Sequence, residues 1–212
     1  MTSVAGAEFW NRTARKYAAD PIADLSGYER TIERVRGLLG PKDSVLELGC
    51  GTGSTALLLA GGTASYLASD FSAEMIAIAE AKLAQQPVAQ LSFRTASAEA
   101  LAAEGVRHDA VLGFNYLHLV DDLPGTLSAI GDLLAPGGVF ISKTACLSDM
   151  NPLIRMAIPV MQFFGKAPHV NVFSATALRD AIENAGFAID FCEYHGSGRK
   201  DARPVIFAHK AG

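Results

Sequence analysis

The segment Val45-Leu46-Glu47-Leu48-Gly49-Cys50-Gly51-Thr52-Gly53 decides how this chain is read. Its first four residues, with Ser44 before them, make a short apolar run broken by one acid, which predicts a buried strand over 44–48. Three glycines then alternate with small residues, and a helical run over 54–60 follows. Without a Cβ, the backbone at such glycines turns sharply and approaches a ligand closely. A dinucleotide-binding turn spaces its glycines G-x-G-x-x-G and brings a pyrophosphate to a helix N-terminus. Here the spacing is G-x-G-x-G, with Glu47 in front of it. A carboxylate there repels pyrophosphate and suits a ligand with an ammonium group.

Working outward, a second strand over 65–69 ends at Asp70, 17 residues beyond Gly53. A carboxylate at that place can accept both ribose hydroxyls of an adenosine. Phe71 then lies next to the base, and Met75, one turn on, packs on the ring or in the core. Ser72 is the expected N-cap of a helix running to 85, with Glu74 in its first turn. The alternation continues with a strand 91–95, a short helix 98–103, a strand 109–114 and a helix 123–134. Pro136-Gly137-Gly138 stops that helix before a strand 139–144. Five strands rich in Val, Leu and Phe, alternating with helices, call for a parallel sheet covered on both faces.

The C-terminal part breaks the rhythm. A helix 178–185 ends at Gly186, a good C′ residue. Strands 187–194 and 204–209 follow, with only a polar, glycine-containing turn between them. That turn is too short for a parallel crossover, so the pair must be antiparallel. Upstream, 8–39 reads as helix split by Pro21, ending at Gly40-Pro41.

The 212 residues are 50% hydrophobic and 19% charged, enough for one α/β domain over 1–212. With a formal net charge of -4 and no Lys/Arg block, the chain gains little from phosphate counterion release, which argues against nucleic acid as the partner. Cys50, Cys146 and Cys192 are too scattered for a disulfide framework or a zinc site, so no metal is expected, and a reducing cytoplasm fits. The N-terminus shows no signal-peptide core. The apolar run 156–165 contains Pro159 and Gln162 and is too short for membrane insertion.

The run VLELGCGTG resembles the first motif of the class I, seven-stranded, Rossmann-like S-adenosylmethionine-dependent methyltransferases. ASDFSAEMIAIAEAK is similar to their second motif, TASAEAL to the third, HDAVLGFNYLHLVDD to the fourth and DLLAPGGVFI to the strand-five motif. The resemblance covers residues 9–210 and implies an α/β fold with a mostly parallel seven-stranded sheet, helices on both faces and a C-terminal antiparallel hairpin. It implies that Glu47 and the backbone of Gly49, Cys50, Gly51 and Gly53 hold the methionine part of S-adenosylmethionine, while Asp70 takes the ribose. S-adenosylhomocysteine would be the product. The third motif often offers an Asp to the adenine amino group. This chain has Ser97 there, then Ala98 and Glu99, so the contact rests on an uncharged hydroxyl or passes to Glu99. Gly113 and Phe114 are expected at the sulfonium end, and Tyr17 matches an aromatic of the N-terminal helix that closes over the cofactor.

In the fourth motif Asn115 is followed by Tyr116-Leu117, not by the two prolines of nucleic-acid and glutamine N-methyltransferases, which favours a small-molecule acceptor. Transfer from a sulfonium needs alignment first, and a base only if the acceptor must lose a proton. His118 is the candidate base; His169, His195 and Cys146 are read as structural. Residues 1–40 are expected to form a helical lid. An insertion over 147–173 carries Met150, Leu153, Ile154, Met156, Ile158, Val160, Met161, Phe163 and Phe164. It is read either as a cover over an apolar or aromatic acceptor or as a buried helix or homodimer interface. Two further readings stand beside the methyltransferase: a catalytically inactive cofactor-binding protein acting through partners, and a nicotinamide-dependent oxidoreductase, which the glycine spacing and Glu47 disfavour.

Overall fold

The computed structural model of the chain describes residues 4–198 and 201–211. The first three residues of the expected lid and part of the last turn lie outside them, as does the side chain of Ile154. Two helices, α1 (Val4–Ala19) and α2 (Leu25–Arg36), precede the strand β1 (Ser44–Leu48). Then come α3 (Ser54–Leu59), β2 (Ser65–Asp70), α4 (Ala73–Gln85), β3 (Leu91–Thr95), α5 (Ala98–Ala102), β4 (His108–Phe114) and α6 (Leu123–Leu133). β5 (Leu134–Lys143), α7 (Pro152–Phe163), α8 (Ala175–Asn184), β6 (Phe187–Glu193) and β7 (Val205–Lys210) complete the order.

The strands form one seven-stranded sheet in the order β3-β2-β1-β4-β5-β7-β6. β1 through β5 pair in parallel, and β7 joins β5 and β6 antiparallel. Side chains alternate across the sheet, so each strand feeds two cores. Leu46, Leu48, Val111, Phe140 and Ile206 pack with Leu127, Ile130, Leu178 and Ile182 of α6 and α8 on one face. Val45, Leu112, Ile141 and Phe207 pack with Ile32 and Val35 of α2 and with Ala56 and Leu59 of α3 on the other. The expected seven-stranded α/β sheet with helices on both faces and a terminal hairpin is therefore present.

Two boundaries differ most from the sequence reading. The Pro136-Gly137-Gly138 stretch does not separate α6 from β5. β5 begins at Leu134, paired with His108, and the next pair is Val139 with Ala110. Residues 135–138 bulge out of the strand, with Gly137 at φ 77. Likewise α8 starts at Ala175, three residues before the first apolar position read from the sequence, because Ser174 caps it by accepting from the Ala177 N–H.

Where β1 stops, the sheet changes its direction of helical crossover: β2 lies to one side and β4 to the other. Ligands of open α/β sheets sit outside the carboxyl ends of the strands at such a switch point. The glycine turn, Asp70 and Phe114 all fall there.

Candidate functional site

Gly49, Gly51 and Gly53 carry φ values of 65, 54 and 75, a region that side chains rarely adopt. A Cβ on Gly49 would stand 2.5 Å from the Tyr116 ring, and one on Gly53 would stand 2.6 Å from the Phe93 ring. At Gly51 the nearest atom would be in Tyr17, at 3.8 Å, so its bare Cα forms part of the cavity wall. Behind the turn, Cys50 donates its N–H to the Ser69 carbonyl at 2.9 Å, which ties the loop to β2.

Asp70, the last residue of β2, is turned across the mouth of this loop. Its Oδ2 accepts from the Gly51 N–H at 3.0 Å and its Oδ1 from the Ser72 N–H at 2.8 Å. Burial raises its pKa, and the N–H groups of Ser72, Gly51 and Phe71 oppose the rise. The Gly51 N–H holds one oxygen and the Ser72 N–H the other, and a carboxylate has further lone pairs to offer. Glu47 is 2% exposed, and its Oε2 accepts from the Tyr66 hydroxyl at 2.8 Å. Burial pushes its carboxyl up to about 8, against the pull of the Tyr66 bond, and the nearby Asp70 charge adds to the rise.

A pocket opens above these groups, lined by Trp10, Tyr17, Gly49, Gly51, Asp70, Phe71, Met75, Phe114, Asn115, Tyr116, Leu119 and Val120. Trp10 and Tyr17, on one face of α1, meet edge to face at 5.8 Å. α1 is held over the pocket by Asn11, whose Oδ1 accepts from the Ser72 hydroxyl at 2.7 Å and the Glu74 N–H at 3.3 Å. Ser72 in turn caps α4 through the Met75 N–H.

The structure thus gathers Tyr17, Gly49, Gly51, Asp70, Phe71, Met75 and Phe114 at one cavity. Other sequence candidates lie around it. Cys50 is a core thiol that burial keeps protonated, Gly53 caps α3 and Gly113 backs the Tyr116 ring. Ser97 caps α5 through the Ala100 N–H, and Ala98 is buried in the core beneath it. Glu99 accepts from the Thr126 hydroxyl through Oε1, while its buried Oε2 has no hydrogen-bond partner among the described residues. His118 is absent from the lining. Burial, and then the Arg203 charge, push its pKa down to about 4, and its buried Nδ1 has no partner among the described residues.

Trp10, Leu119 and Val120 were not singled out from the sequence. The 10/17 spacing of Trp and Tyr places both on one helix face and was the available signal. The turn after β4 gave none, because it depends on Asn115 at φ 52 and on its N–H bonding the Lys143 carbonyl at 2.7 Å.

A wider cleft of about 720 Å³ opens at the same end of the sheet. Asp24, Asp149, Met150, Asn151, Pro152, Asp201 and Arg203 are among its walls. A polar network holds that side together. Asp24 accepts from the Ser197 N–H and hydroxyl at 2.8 and 2.7 Å, and Arg34 forks onto Glu193. Glu193 also meets His195, which contacts the Thr31 hydroxyl, itself bonded by Lys143.

The family model described as a methyltransferase domain matches residues 10–190. Among curated relatives, a ubiquinone biosynthesis O-methyltransferase of Cereibacter sphaeroides is 33% identical over 149 residues, 67% of this chain and 59% of the relative. One from Brucella ovis is 32% identical over 99 residues, 47% of this chain and 40% of the relative. The chain thus spans less than two thirds of the length of these relatives. Among solved structures, the magnesium protoporphyrin IX methyltransferase of Synechocystis with bound S-adenosylhomocysteine has a TM-score of 0.69 at 20% identity, covering 98% of this chain and 95% of that one. A methyltransferase of Methanosarcina mazei has a TM-score of 0.65 at 21% identity, covering 84% and 96%. With its glycine turn, the acid that bonds it and a family match over most of its length, the chain belongs to the methyltransferase-domain family, the class I S-adenosylmethionine-dependent methyltransferases.

Proposed function

We propose that this protein transfers a methyl group from S-adenosylmethionine to a small molecule with an apolar or aromatic body. The observation that carries this reading is the Gly51–Asp70 pairing: a bare Cα in the cavity wall, with a carboxylate turned across it. Asp70 receives the ribose diol, and the positive-φ turn at Gly49 and Gly51 leaves room for the amino-acid part. Glu47, beneath them, supplies a carboxyl that an arriving ammonium ionises. The orphaned Glu99 Oε2 fits an exocyclic amine, while Phe71 and Met75 flank the base. Trp10 and Tyr17 close the outer side.

When bound, the cofactor supplies an electrophilic methyl carbon on a positively charged sulfur. The protein's part is alignment, which by itself can supply about 7–11 kcal/mol of the barrier. Gly49, Gly51 and Asp70 would hold that group, and the chemistry it would supply is methyl transfer with a neutral thioether as leaving group. Phe114, Tyr116, Leu119 and Val120 give the acceptor side an apolar wall that keeps bulk water from competing. The name of the Cereibacter relatives, an O-methyltransferase of ubiquinone synthesis, points the same way. The wide cleft beside Asp24 and Arg203 is the acceptor's route in. Three free thiols fit a cytoplasmic setting.

Calorimetry with S-adenosylhomocysteine tests the site. Binding is expected, and Asp70→Ala should weaken it by roughly 1–3 kcal/mol. Tight NAD binding without any response to the sulfur nucleotide would overturn the cofactor assignment. An acceptor screen read by mass spectrometry tests the chemistry. Binding without any methylated product would favour the inactive cofactor-binding alternative, and only highly polar products would rule out an apolar acceptor.

A further inference from the structure

Helix α7 is inside out for a protein that keeps its apolar side chains from water. It is well formed: Asn151 caps it by accepting from the Leu153 N–H, Pro152 opens it, and Gly165 follows at φ 63. Leu153, Met156, Val160, Phe163 and Phe164 are exposed by 70, 71, 58, 85 and 66%. Their spacing of i, i+3, i+7, i+10 and i+11 puts them on one face. The half-buried positions, Ile158 and Gln162, lie on the opposite face, and Gln162 donates inward to the Pro168 carbonyl at 2.8 Å. A patch of this kind marks an interaction surface.

Charge identifies what it meets. From residue 150 to 179 there is no Asp or Glu, while Arg155, Lys166 and Arg179 are present, in a chain of net charge -4. Beside α7 stands a basic ridge of α1: Arg12, Arg15 and Lys16, at i, i+3 and i+4, are all exposed. Arg12 donates to the Gly165 carbonyl at 3.0 Å, which fixes this ridge against the end of α7.

We propose that α7, with the basic face of α1, docks the protein on an anionic phospholipid bilayer. A helix that lies in the interface plane presents one apolar face to the acyl boundary, with Lys and Arg near the headgroups. No helix among the described residues is long and apolar enough to cross a membrane, and α7, at 12 residues, spans only ~18 Å. A second copy is the weaker occupant. Two-fold contact through this patch would bring the basic groups at its edge, Arg12 and Lys166, near those of the copy, whereas anionic headgroups complement them. Met150, Asn151 and Pro152, at the start of α7, also border the wide cleft, so docking sets its mouth at the lipid surface. The proposal does not depend on the methyl-transfer reading.

The test is co-sedimentation of the whole chain with phosphatidylcholine vesicles, with and without phosphatidylglycerol. Binding should rise about tenfold with the anionic lipid and fall with salt. Phe163→Ser with Phe164→Ser, and separately Arg12→Glu with Arg15→Glu and Lys16→Glu, should each reduce it about tenfold. If the aromatic pair is needed for folding, as judged by thermal unfolding, Leu153→Ser with Met156→Ser removes the same face at its other end. No vesicle binding, equal binding to both vesicles, or binding that survives either set of substitutions overturns the proposal. A dimer in sedimentation equilibrium that the serine variants abolish, without vesicle binding, assigns the patch to a second copy and overturns it as well.

Discussion

Glu47 shows at the scale of one residue how a site keeps a group that works against the fold. Its ordinary pKa is 4.5, and burial raises it to about 8 in the folded chain. Below 4.5 both folded and unfolded forms hold the proton. As pH rises towards 8, the unfolded chain releases it first, so the stability carried by the neutral carboxyl is progressively lost. Glu47→Gln keeps an acceptor for Tyr66 and cannot ionise. The melting temperature of the cofactor-free variant should therefore match wild type near pH 4.5 and exceed it by a widening margin towards pH 8. A pH-independent gap would contradict the buried carboxyl. The same variant should bind S-adenosylmethionine more weakly, because an ammonium group no longer meets an anion.

His118 has the opposite sign. Its folded pKa of about 4 lies below the ordinary 6.5, so its contribution is present above 6.5 and lost as pH falls towards 4. A neutral imidazole of that basicity is a weak proton acceptor at pH 7. His118→Gln should leave the shape of the pH–rate profile between pH 6 and 8 unchanged. An inflection near neutrality that disappears in the variant would support the base role instead.

Among the elements, α1 matters most to the site, and Asn11 supplies its polar tie to the sheet side. That side chain joins α1 to the capped start of α4 by accepting from Ser72 and Glu74. Asn11→Ala should cost about 1 kcal/mol of stability, speed amide exchange along α1, and lower affinity for S-adenosylhomocysteine. Unchanged exchange in α1 would show that other contacts hold the helix. α1 thus has a definite latch, which sequence reasoning missed because a lone Asn on a helix face is usually solvated. The insertion over 147–173 shows the reverse: its apolar content was legible, but the side that content faces was not.

For the whole molecule, both cores are built on the same strands, so sheet and site should unfold together. S-adenosylhomocysteine at a hundredfold its dissociation constant should then raise the unfolding free energy by about 2.7 kcal/mol in one calorimetric transition. Two transitions, with only one responding to ligand, would show that α1 and α2 melt apart from the sheet.

The bounds of β1, β3 and α4 were legible from residue order alone, because buried parallel strands and capped helices carry local signals: apolar runs, a serine cap, terminal glycines. So was the glycine cradle, since positive φ demands a residue type. The α6–β5 junction was not, because Gly137 serves a bulge as well as a turn. Which candidates share one cavity was also beyond the sequence. Asp70 meets Gly51, Glu47 sinks beneath them onto Tyr66, Trp10 swings over the top and His118 falls outside, and each depends on packing between segments far apart in the chain. The amino-acid order determined the sheet and the glycine turn, whose signals are local. Only the tertiary structure decided the pocket's membership, the protonation of its buried acid and the outward face of α7, because these follow from burial, which no stretch of sequence fixes by itself.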